Sequence, residues 1–60
     1  MTLYEFNQIC RDSLVVYTMC GDEKICIFVQ RGPHGNLPEL FEDCEIRETW
    51  LENGLVAVLI

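Results

Sequence analysis

Glu45-Ile46-Arg47-Glu48-Thr49-Trp50-Leu51-Glu52, then Asn53-Gly54, then Leu55-Val56-Ala57-Val58-Leu59-Ile60: this closing stretch decides the fold. Two β-prone runs flank the dipeptide best suited to a two-residue type I′ turn, whose central residues both take φ > 0. Such a turn fixes the register. Glu52 is expected opposite Leu55, Leu51 opposite Val56, Trp50 opposite Ala57, Thr49 opposite Val58 and Glu48 opposite Leu59. An isolated hairpin is marginal in water, so the rest of the chain has to cover this one.

Outward from the hairpin, Thr2-Leu3-Tyr4-Glu5 reads as a capping box, in which the Thr2 hydroxyl accepts from the Glu5 amide and the Glu5 carboxylate accepts from the Thr2 amide. A two-turn helix follows from residue 3 to about 10 or 11, with Leu3, Phe6, Ile9 and Cys10 expected on its inner face. Ser13-Leu14-Val15-Val16-Tyr17-Thr18-Met19-Cys20 and Ile25-Cys26-Ile27-Phe28-Val29-Gln30 are rich in β-branched and aromatic residues. They form a second hairpin around Gly21-Asp22-Glu23-Lys24, whose loop admits two, four or five residues. Only the five-residue loop would set Cys20 opposite Cys26, where the two could cross-link. Arg31-Gly32-Pro33-His34-Gly35-Asn36 is a loop, and Asn36 can cap a short helical turn that Leu40 and Phe41 anchor.

The fold class is therefore α+β: one domain, residues 1–60, with an N-terminal helix packed on a four-stranded, mainly antiparallel sheet of two hairpins, and a short helical turn between them. Sixty residues lie near the lower size limit for folding without a disulfide, metal or partner. The net charge is −6 and uneven: residues 1–36 carry four acids against three basic residues, residues 37–60 six acids against Arg47 alone. That balance opposes direct binding to nucleic acid, which needs clustered Lys and Arg. The opening Met1-Thr2-Leu3-Tyr4-Glu5 has no basic leader and the chain no long apolar run, so no membrane association and a cytoplasmic location are expected.

Candidate chemistry is sparse. Cys10, Cys20, Cys26 and Cys44 contain no C-x₂₋₄-C spacing, and with His34 they leave a zinc or redox element only as an alternative. The reading is four free thiols, no metal and no cofactor. His34 lies between Pro33 and Gly35, a poor setting for a general base, which has to be held rigidly. No cysteine neighbours a histidine, and phosphate-loop, H-E-x-x-H and G-x-S-x-G motifs are absent. No catalytic residue is assigned.

The last strand is apolar on both sides. Strands of that kind usually lie inside a sheet covered on both faces, whereas one short helix and one turn cover a single face. Exposed apolar surface, and hence a homodimer, is the expectation. The residues expected to bind a partner are Glu42, Glu45, Glu48, Leu51, Val56, Val58 and Ile60. A second reading takes Glu39, Glu42, Asp43, Glu45, Glu48 and Glu52 as a mimic of nucleic-acid charge that occupies the basic groove of a host defence or DNA-handling enzyme.

The opening "MTLYEF", then "VVYTMCGDEKICIF", "LPELFEDCEI" and "ENGLVAVLI" make a pattern that resembles the small uncharacterised α+β proteins encoded by phages and prophages of Gram-positive and gut bacteria. The four cysteines and the Gly-Pro-His-Gly loop depart from it. The resemblance implies a non-enzymatic protein-interaction module that binds a protein of host or phage origin, and it transfers no site residue.

Overall fold

Thr2 starts the first helix as the capping box requires: its hydroxyl accepts from the Glu5 amide at 3.2 Å, and its own amide donates to the Glu5 carboxylate at 2.9 Å. In the computed structural model, which describes residues 1–32 and 37–60, the chain runs α1 (Leu3–Ile9), β1 (Leu14–Cys20), β2 (Glu23–Gln30), α2 (Glu39–Glu42), β3 (Glu48–Glu52) and β4 (Leu55–Leu59). The expected α-β-β-α-β-β order and the α+β class are both present. The Pro33, His34, Gly35 and Asn36 expectations lie outside the described residues.

The Glu5 carboxylate accepts from the Thr2 amide and also, at 3.2 Å, from the Thr2 hydroxyl, and these two bonds hold it below the usual carboxylate range. A folded pKa below the unfolded one stabilises above the ordinary value, and the contribution is lost as pH falls through the lowered one. Removing the cap oxygen with Thr2→Ala is expected to cost about 0.5–2 kcal/mol. Urea melts at neutral pH would measure the loss, and it should shrink in acid.

The closing hairpin has the register its turn dictates, all five pairs from Glu48↔Leu59 to Glu52↔Leu55. Asn53 at φ 49° and Gly54 at φ 80° supply the left-handed pair that the turn needs. The first hairpin closes on two residues, since Cys20 pairs with Glu23. Cys26 then stands opposite Tyr17, so Cys20 and Cys26 do not face each other across the ladder.

The two hairpins join through β1 and β4, which pair in parallel from Leu14↔Val56 to Tyr17↔Leu59, giving the order β2-β1-β4-β3. β4 is thus an interior strand with a neighbour on each side, the place its two-sided apolar pattern suits. Both helices lie on one face of the sheet. Leu3 and Cys10 join Leu14, Val16 and Val58 in the core, and Phe6, Leu37, Phe41, Phe28, Ile46, Val56 and Ile60 pack around them.

Three inner positions differ from expectation. Ile9 is 63% exposed, and Asn7 takes its place at 4%, accepting a buried 2.9 Å hydrogen bond from the Gln30 amide. Leu3, Phe6, Asn7 and Cys10 form the true inner stripe, with i, i+3, i+4, i+7 spacing. Leu40 is also exposed, so Phe41 alone of the pair anchors α2, against Phe28 at 6.4 Å between ring centroids. In β2 the register slips between Val16↔Phe28 and Tyr17↔Cys26, leaving Ile27 as a bulge. The extra residue inverts the alternation beyond it, so Phe28 and Gln30 reach the helix side and Ile27 packs on the core as well.

Candidate functional site

The side of the sheet away from the helices is the candidate site. Strand alternation places Val15, Tyr17 and Met19 of β1 there, with Lys24, Cys26 and Val29 of β2, Leu55, Ala57 and Leu59 of β4, and Glu48, Trp50 and Glu52 of β3. Ala57 sits between its partners Val15 and Trp50. Its small side chain leaves room for the Tyr17 and Trp50 rings to meet over the middle of the sheet, stacked at 5.6 Å between centroids and 27° between planes. An offset stack of this kind adds about 0.5–1.5 kcal/mol beyond the area it buries.

One carboxylate holds both rings. The Tyr17 hydroxyl donates to Glu52 Oε2, and Trp50 Nε1 donates to Glu52 Oε1 at 3.4 Å. The Lys24 ammonium completes the group, 4.4 Å from the Trp50 ring centroid. Bonding to the Glu52 carboxylate pushes the Tyr17 phenol above its ordinary pKa. A raised folded value means that this contact stabilises fully below the ordinary phenol pKa and is lost as pH rises through the higher one. Ultraviolet titration should therefore find one tyrosine ionising late, and Glu52→Gln should bring it earlier. An unchanged titration would contradict the contact.

The expected excess of bare apolar surface on β4 is absent. Under the rings Ala57 is fully buried and Leu59 is 4% exposed, while Val58 is fully buried on the helix side. Val56 and Ile60 are half-buried against the core. Tyr17 and Trp50 cover the β4 part of this face where the sequence suggested that another molecule would, and Val56, Val58 and Ile60 pack against the core, Val58 fully buried and the other two half-buried. Leu51 does stand out, 80% exposed on the edge strand β3, with Glu48 exposed on the same strand and Glu42 half-buried on α2. Glu45 is exposed and pairs with the Met1 amino group at 3.1 Å. No protein-family model, curated protein or solved structure matches the chain.

The acidic residues do not share one face. Glu39 and Glu42 belong to α2 on the helix side, whereas Glu48 and Glu52 lie on the opposite face of β3. The cysteines are also dispersed: Cys10 is buried beneath α1, Cys20 and Cys26 are exposed on the first hairpin, and Cys44 follows α2. All four are free thiols, and no group of three or more potential ligands gathers among the described residues. Among the described residues no helix is long and apolar enough to cross a membrane. The Tyr17–Trp50–Glu52 cluster was missed from sequence because its members sit on two strands, β1 and β3, which only the β1–β4 pairing brings to the same sheet. The usable signal was a small residue, Ala57, directly across from the single tryptophan.

Proposed function

We propose that this protein is a non-enzymatic interaction module, of the phage or prophage type whose element pattern it resembles, and that it binds a protein partner of host or phage origin through the sheet face opposite the helices. One observation supports the choice of face. Both helices pack on the other side, and the open side presents the half-buried Tyr17 and Trp50 next to exposed Met19, Cys26 and Val29 on adjoining strands. Aromatic residues and methionine are enriched where proteins meet, and contiguous apolar surface usually marks such a place. Charge mimicry of nucleic acid has less support, because the acids it needs are divided between the two sides of the sheet.

The dimer expectation rested on apolar surface of the last strand left without cover, and β4 is paired on both sides with Ala57, Val58 and Leu59 buried. The partner proposed is therefore a different protein, and light scattering on the purified chain is expected to return the mass of one copy. The face is tested by capture from bacterial lysate with wild-type bait, with Met19→Glu and Val29→Glu, and with Leu40→Glu as a control on α2. Proteins held by the wild type should be lost from the first two and kept by the third. A captured set that ignores the rim changes, or that Leu40→Glu abolishes, would sink this reading.

A further inference from the structure

We propose that the Trp50 face, together with Glu52 and Glu48, is the docking point for an arginine side chain in a basic segment of the partner, and that Lys24 is its internal place-holder. This rests on the sheet-face reading above and adds the chemistry of what docks there. The Lys24 ammonium already occupies the cation position over the indole, 4.4 Å from the ring centroid. It is held there by an exposed, flexible stem on an edge strand, so an incoming cation can displace it without disturbing the fold.

A guanidinium suits the site better than the ammonium it replaces. It is planar and weakly hydrated, stacks on an aromatic face, and keeps N–H donors in its plane for a carboxylate at the ring edge. Glu52 is at that edge, fixed by Tyr17 on one oxygen and Trp50 on the other, and a carboxylate with one donor on each oxygen has further lone pairs to offer. Glu48 lies two residues before Trp50 on the same face of β3. The net charge of −6 favours a basic ligand at long range and disfavours a phosphate-bearing one.

Trp50 is the single tryptophan, so its emission reports directly on the site. Acetylated, amidated hexa-arginine is titrated into the intact protein, with hexa-lysine and hexa-glutamate as comparison peptides. Saturable change with hexa-arginine, weaker change with hexa-lysine, none with hexa-glutamate and loss of affinity in salt are expected. Lys24→Ala should tighten hexa-arginine binding severalfold, because it removes a competitor and a repelling charge. Glu52→Gln should weaken binding about tenfold, and the paired change Glu39→Gln with Glu42→Gln on α2 should leave it within twofold. Far-ultraviolet circular dichroism checks that each variant folds, and Lys24→Ala, which alters an exposed side chain, tests the idea by a gain. Absence of saturation, weaker binding in Lys24→Ala, or equal sensitivity to the α2 acids would overturn the assignment. If hexa-arginine fails while the Met19→Glu and Val29→Glu baits still lose the captured proteins, only the cation is wrong and the interaction face stands.

Discussion

Leu14→Ala is expected to leave the protein largely unfolded at room temperature. Leu14 is fully buried where β1 meets both the helix layer and β4, pairing with Val56 on one side and Gln30 on the other. Emptying such a site costs about 2–5 kcal/mol in lost burial and residual cavity. Domains carry roughly 0.05–0.15 kcal/mol of stability per residue, on the order of 3–9 kcal/mol for a chain this long. One leucine is thus comparable with the whole margin. Leu51→Ala, at an equally apolar but 80% exposed position, should shift stability by no more than about 0.5 kcal/mol. Urea titrations followed by circular dichroism would compare them, and a Leu14→Ala protein as stable as Leu51→Ala would refute the placement of the core.

The second large effect concerns the buried amide pair. Asn7 and Gln30 are each 4% exposed, and the Gln30 Nε2 donates to Asn7 Oδ1 at 2.9 Å, with a longer bond to the Gly32 carbonyl. Asn7→Leu removes the main acceptor and leaves a buried donor undersatisfied, which costs about 1–3 kcal/mol. Replacing both partners with leucine removes the donor together with the acceptor, so the Asn7→Leu, Gln30→Leu double variant should recover most of that loss. A double-mutant cycle read from urea midpoints gives the coupling. If the double variant is as unstable as the sum of the singles, the pair does not act as a unit.

The parts of the fold written in local chemistry were readable. Asn53-Gly54 has few conformational choices, and it fixed all five pairs of the closing hairpin. Thr2 and Glu5 likewise marked the helix start to the residue. The parts that depend on distant strands were not. Parallel pairing of β1 with β4 has no turn to announce it, and its only trace was the two-sided apolar pattern of residues 55–60, which denotes an interior strand. Assigning that pattern to a missing partner misplaced Val58 on a binding surface. The bulge at Ile27 carries no glycine signal, and because it swaps the faces of everything after it, Phe28 and Gln30 could not be assigned a side from alternation. Asn7 was passed over as an inner residue because its match, Gln30, is 23 positions away.

The β1–β4 ladder also sets the timing of folding. Leu14 meets Val56 forty-two positions later in the sequence, so the central pairing has high contact order and is slow to form for its size. During synthesis the first hairpin and α1 emerge well before the strand that unites them with β3. A premature stop that removes Leu55–Leu59 would leave β2-β1 on one side and β3 on the other, with no ladder between them. Such a product would expose Val15, Val16 and Leu14 along an open strand edge, a substrate for proteolysis and aggregation rather than a smaller version of the same domain.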